Sequence, residues 1–143
     1  MIPQTAEYAL RAVVWLDNHA EVPQTSEQIA KATQVPPRYL YKVLQALTQA
    51  ELLGSQPGPR GGYLLAQPAD EITMLEVVNV VGTLQRIRAC PLDLESHGLE
   101  LCPLHRELDQ AYAQIQTAFS RVTIAQLVNR RAKTPPLCEI DNL

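Results

Sequence analysis

Apolar positions recur at helical spacing from Thr5 to about Ala20, where Ala9, Leu10, Val13, Val14 and Leu16 form one side and Trp15 widens it. Thr5 fits the N-cap of this helix, and Glu7 falls in its first turn, where the helix dipole favours a carboxylate. A second amphipathic segment begins at Thr25 or Ser26. Gln28 stands three residues after Thr25, as a capping box requires, and Ile29, Ala30 and Thr33 supply a small apolar face. Val35-Pro36 interrupts the pattern, because the residue before proline avoids the helical region and proline lacks an N–H. Pro37 suits the first turn of a third helix, in which Leu40, Val43, Leu44 and Leu47 make one stripe.

The opposite face of that third helix carries Arg38, Tyr41, Lys42, Gln45 and Gln49. A helix that is apolar behind and cationic in front suits a DNA major groove. Leu52-Leu53 and Gly62-Tyr63-Leu64-Leu65 then flank a stretch with Pro57-Gly58 and Gly61-Gly62, the signature of a hairpin with an exposed tip. Arg60 sits on that tip beside Gly61, where small residues let a backbone approach a phosphate or a narrow groove. Helix, turn, helix and a hairpin with one arginine predict a winged helix-turn-helix; the alternative is a small helical domain with an idle hairpin. Thr25, Ser26, Arg38, Tyr39, Tyr41, Lys42, Arg60 and Gly61 are the candidate DNA contacts.

Beyond the hairpin, Thr73 and Glu76 make another capping box, opening a helix with Leu75, Val77, Val78, Val80 and Val81. From Leu101 the apolar residues step by 3 and 4 through Leu104, Leu108, Ala111, Ile115, Ala118, Val122 and Ala125. This is a heptad seam, flanked by Tyr112 and Phe119, and a small winged domain offers too little surface to bury it. A homodimer helix is the expectation, an intramolecular core helix the alternative. Thr123 is placed to cap a last short helix up to Val128.

The net charge of −3 argues against a DNA partner until it is divided along the chain. Residues 25–66 hold four basic and two acidic groups, whereas residues 67–143 hold seven basic and ten acidic. Phosphate attraction follows the local field, and that field is positive where the contact elements lie. At 143 residues, 46% of them hydrophobic, the chain is long enough for one core. No apolar run approaches the roughly 20 residues of a membrane span, and Met1-Ile2-Pro3-Gln4 is unlike a signal peptide, so a cytoplasmic location is expected. No phosphate loop, nucleophile elbow or HExxH motif is present, and no enzyme activity is expected.

Cys90, His97, Cys102 and His105 cluster in a loop with two prolines and a glycine. Thiolate and imidazole are ligands for zinc, iron and iron–sulfur clusters. A Cys90–Cys102 disulfide, disfavoured in a reducing compartment except as a redox switch, and no site at all are the other readings. Cys138 stands apart as a free thiol.

The chain also resembles the Rrf family of bacterial winged-helix regulators. The likeness runs through Thr5-Ala6-Glu7-Tyr8-Ala9-Leu10-Arg11, Ile29-Ala30, Tyr39-Leu40, Gly61-Gly62-Tyr63-Leu64-Leu65-Ala66 and Glu71-Ile72-Thr73-Met74-Leu75-Glu76-Val77, and extends to about Val128. That family contains iron–sulfur and nitric oxide sensors and cluster-free members. Two contact helices related by the two-fold axis of a homodimer would read a pseudo-palindromic double-stranded operator, and no membrane partner is expected. The family's cluster-binding members place three cysteines in the loop, sometimes with a histidine two residues beyond the last. Cys90, Cys102 and His105 match; the middle cysteine is missing and His97 lies near its place. The resemblance thus implies a 2Fe–2S cluster held by Cys90 and Cys102 with His97, His105 or Glu7 of the partner chain, and leaves open a Cys₂His₂ zinc or iron site or no metal. A cluster-free regulator governed by a metabolite, a partner protein or thiol redox state is the second reading, and an adaptor that has lost DNA binding the third. The expected fold is mainly α: a winged helix-turn-helix DNA-binding domain over 1–82, a Cys/His sensor loop over 83–105, a dimerisation helix region over 104–129 and a flexible tail over 130–143.

Overall fold

The computed structural model describes residues 2–82, 84–98, 100–128, 133, 134, 136 and 137. Helix α1 spans Gln4–Asn18, α2 Ser26–Thr33 and α3 Pro37–Gln49; strands β1, Leu53–Gln56, and β2, Gly62–Leu65, follow; α4 is Met74–Val81, α5 Pro103–Ser120 and α6 Ile124–Leu127.

The first helix begins earlier than its side chains foretell. Pro3, not Thr5, is the N-cap, and its carbonyl accepts from the N–H groups of Ala6 and Glu7. Proline presets the extended φ and ψ of a cap, so no hydroxyl is needed there. The capping box at α2 is present: Gln28 N–H donates to Thr25 Oγ1 and Gln28 Oε1 accepts from Thr25 N–H. Gln34 ends that helix in the left-handed region, and Pro37 opens α3 in its first turn. Leu40, Val43, Leu44 and Leu47 are all buried.

These stripes meet α1 and the buried Ile29, Ile72, Val77, Val78 and Ile124 in one core. Strands β1 and β2 pair antiparallel with Ser55 opposite Tyr63, and Gln24 adds a bridge on the outer side of Tyr63. That bridge has two backbone hydrogen bonds, Gln24 N–H to the Tyr63 carbonyl at 3.0 Å and Tyr63 N–H to the Gln24 carbonyl at 2.7 Å. The hairpin is therefore tied to the segment entering α2.

Helix α4 opens with its Thr73–Glu76 box, but only Val77 and Val78 are buried; Leu75, Val80 and Val81 remain half-buried. Helix α5 leans on α4 with Tyr112, Ile115 and Phe119. The heptad seam does not continue on one helix to Ala125. The helix stops at Ser120, because Thr123 pairs with Thr73 across a β-bridge and caps α6 through Gln126. Ile124 is thereby carried into the core. The rod is 18 residues, about 27 Å at 1.5 Å per residue. Cys138 and most of the expected tail lie outside the described residues.

Candidate nucleic-acid interface and effector loop

On α3 the residues Arg38, Tyr41, Lys42, Gln45 and Gln49 fall at helical offsets of 3, 4, 7 and 11, which stacks them on one face. All five are exposed, while the facing stripe is buried. Gln45 Nε2 donates to Tyr41 Oη at 3.0 Å, which fixes the middle of the face. The described ion pairs, Glu7–Arg11 and Arg86–Asp109, take up neither cation of α3. Tyr39 stands to one side. Its ring lies 6.4 Å from that of Tyr8 on α1 and 5.8 Å from the Arg38 guanidinium. It braces the start of α3 against α1 and orients Arg38 while half of its surface stays open.

Thr25 and Ser26 are exposed at the start of α2, but the Thr25 hydroxyl already serves the capping box. In the wing, Arg60 is exposed on the tip and Gly58 has φ +104°. A Cβ at Gly61 would strike the backbone carbonyl of Gln56 and come within 2.9 Å of Gly58 and Pro57, so its smallness lets the wing close on itself. Gly62, at φ +148°, gives the Gln24 backbone its room in the same way.

The Cys/His loop is less assembled than its composition foretells. Cys90 is buried, its carbonyl accepting from Asp93 N–H. His97 ends a 3-10 turn over Glu95–His97, with Nδ1 buried and without a partner among the described residues. Cys102 is the N-cap of α5, and its Sγ lies 3.3 Å from His105 Nδ1, three residues on. Among the described residues no three His, Cys, Asp or Glu side chains stand close enough to share an ion. The expected donor set of Cys90, His97, Cys102 and His105 is thus reduced, within one chain, to the Cys102–His105 pair. The physical reason is local: one cysteine belongs to a turn and the other to a helix cap. Glu7, the donor expected from a partner chain, here receives the Arg11 guanidinium at 2.6 Å. Among the described residues of one chain, these side chains are not gathered as an iron–sulfur cluster would need.

The profile of the Rrf2 family, described as an iron-dependent transcriptional regulator, matches residues 2–130. The chain belongs to the Rrf2 family. An Aquifex aeolicus protein provisionally named an HTH-type transcriptional regulator is 30% identical over 132 residues, 90% of this chain and 92% of that one. Protein aau3 of Rhizobium meliloti is 29% identical over 132 residues, covering 91% and 86%. Among solved structures, IscR of T. potens superposes with a TM-score of 0.73 at 20% identity, over 89% of this chain and 85% of that one. CymR, the global cysteine regulator of B. subtilis, gives 0.72 at 24%, over 89% and 95%. The winged-helix fold is common to them. This Rrf2 chain is accordingly a DNA-binding transcriptional regulator, and its family is not one of enzymes. No helix among its described residues is long and apolar enough to cross a membrane.

One cluster of this Rrf2 chain escaped the sequence reading. Arg86 forks onto Asp109 through Nε at 2.7 Å and Nη2 at 2.6 Å, and Ile87 N–H donates to the same carboxylate at 2.9 Å. The Arg86 hydrogen bonds, and less strongly the Ile87 N–H and the charge of Arg88, hold the Asp109 carboxyl below the usual carboxylate range. Gln116 Nε2 donates to the Leu84 carbonyl just beyond. The linker from α4 is strapped to α5 by these contacts. The partners are 23 residues apart, and no spacing rule joins them.

Proposed function

We propose that this protein is a homodimeric repressor or activator that reads a pseudo-palindromic operator with α3 and the wing, and whose DNA affinity responds to the state of the loop. The α3 face carries the reading: Arg38, Tyr41, Lys42 and Gln45 are exposed on one stripe whose back is anchored in the core. Arg38 and Lys42 meet phosphates and base edges, Tyr41 and Gln45 act as one hydrogen-bonding unit, and Arg60 on the wing reaches the flanking backbone or minor groove. Thr25 and Ser26, at the start of α2, offer an N–H-rich end to a phosphate.

Dimerisation is assigned to α5. Leu104, Leu108, Ala111 and Ala118 are exposed along one stripe beside the face packed on α4. Exposed apolar residues at this spacing suit a second copy of the same helix, and a two-fold pair of contact helices matches an inverted repeat.

Sensing is assigned to the thiols and imidazoles of residues 90–105, which lead straight into α5. The family description supports iron as the signal, though among the described residues the donors are not gathered within one chain. The test measures operator binding by anaerobic, oxidised and metal-stripped protein, with iron, sulfide and zinc assayed on each sample. Different affinities support the sensing role. Equal affinities remove it and leave the DNA role standing.

A further inference from the structure

The start of the 83–105 segment, just after α4, and the body of α5 flank an open cleft of mixed polar and apolar lining that includes none of the candidate DNA contacts and none of Cys90, His97, Cys102 and His105. It has a volume of about 590 Å³ and is lined by Asn79, Leu84, Gln85, Arg86, Arg88 and Gln116. Small-molecule sites span roughly 300–1,000 Å³ and combine an apolar floor with a few convergent polar groups. Leu84 is buried at the base, and Gln116 is spent on the Leu84 carbonyl. Asn79 and Gln85 are exposed amides at the rim. Arg86 faces Asp109 with Nε and Nη2, leaving Nη1 outside the fork, and Arg88 adds a second guanidinium. Two cations against one carboxylate leave the cleft net positive. Planar guanidinium forks match carboxylate and phosphate oxygens in pairs.

We propose that this cleft binds a small dianion, a di- or tricarboxylate or a phosphate monoester, through Arg88 and Arg86, with the Asn79 and Gln85 amides reading its neutral oxygens. The inference does not rest on the DNA assignment. The cleft sits where the strap joins α4 to α5. A bound anion competes with Asp109 for Arg86, so occupancy loosens the hold of the winged body on its long helix. That makes the anion an effector, independent of the chemistry at Cys102.

Calorimetric titration of the full chain with citrate, succinate or inorganic phosphate, at matched ionic strength and with glucose as a neutral control, tests this. Saturable uptake of at least one dianion, one per chain, and none of glucose is expected; which probe binds separates the carboxylate from the phosphate source. Arg88→Ala should weaken that binding by at least about tenfold and Arg88→Lys by less, with circular dichroism unchanged because Arg88 is exposed. Absence of saturation by every dianion up to about 10 mM overturns the proposal. So does binding that survives Arg88→Ala, which marks adventitious surface uptake. If Arg88→Ala instead lowers the salt slope of DNA binding and leaves anion uptake intact, the arginine belongs to the DNA interface and the proposal falls.

Discussion

Helix α1 has 15 residues and buries eight of them; α5 has 18 and buries none. The shorter helix lies at the centre of a core closed by its own chain, from Leu16 and Leu44 to Ile124, which returns from the far end. The longer one touches that core with Tyr112, Ile115 and Phe119 and turns Leu104 and Leu108 to solvent, at 63% and 43% exposure. Both are amphipathic by pattern. Pattern therefore tells which face of a helix wants covering, and not which molecule covers it.

The sharpest way to break this contrast is to make similar changes in both places. Leu44→Ala should destabilise the fold by about 2–5 kcal/mol in urea unfolding, because its side chain is wholly buried. A loss under about 1 kcal/mol would mean that the core is not as closed as described. Gly62→Ala comes next, at about 1–3 kcal/mol, since the new Cβ meets the Gln24 backbone at a φ that L residues avoid. It should also weaken operator binding by detaching the wing. Leu108→Glu should leave the unfolding of the winged body within about 0.5 kcal/mol, yet convert the proposed dimer to monomers by light scattering. A variant that stays dimeric would take the interface away from α5.

Smaller effects are expected on the reading surface. Lys42→Ala and Arg60→Ala should each lower operator affinity and reduce the salt slope by about one, with thermal stability unmoved because both residues are exposed. An unchanged slope for either would remove it from the DNA contacts. The smallest effect belongs to the strap. Asp109 titrates below its ordinary value in the folded protein. Its contribution is complete above the unfolded carboxyl value of about 3.9 and is lost as pH falls through the lowered folded value. Melting temperatures of the parent and Asp109→Asn should therefore differ at neutral pH and converge below about pH 4. A constant difference down to acid would mean that the carboxylate is not what holds the strap.

Much of the winged body was legible because its signals are local. The capping boxes at Thr25 and Thr73, the break at Pro36, the stripe on α3 and the hairpin are each written within a few neighbouring residues, and each is found where its pattern lies. Long-range features were not legible. The Gln24–Tyr63 bridge, the Thr73–Thr123 bridge that ends α5, and the Arg86–Asp109 strap join residues 23 to 50 apart, and no periodicity announces them. Proximity in sequence does not by itself gather donors: Cys90, His97, Cys102 and His105 fall within 16 residues, yet Cys90 belongs to a turn and Cys102 to a helix cap. Nor does composition say which neighbour fills the room that a glycine leaves, and at Gly61 it is the wing's own backbone.

The paired hydrogen bonds between Gln24 and Tyr63 weld the hairpin to the entrance of α2, and the bare Cα of Gly62 lets the weld close. Hairpin and the entrance of α2 are consequently parts of a single die. In the dimer proposed above, a signal from the far end of the molecule would swing one die relative to its twin and alter the span between two half-sites, leaving the grip inside each one unchanged. On the proposed dimer, regulation would then act on the spacing between operator halves rather than on the bases within them.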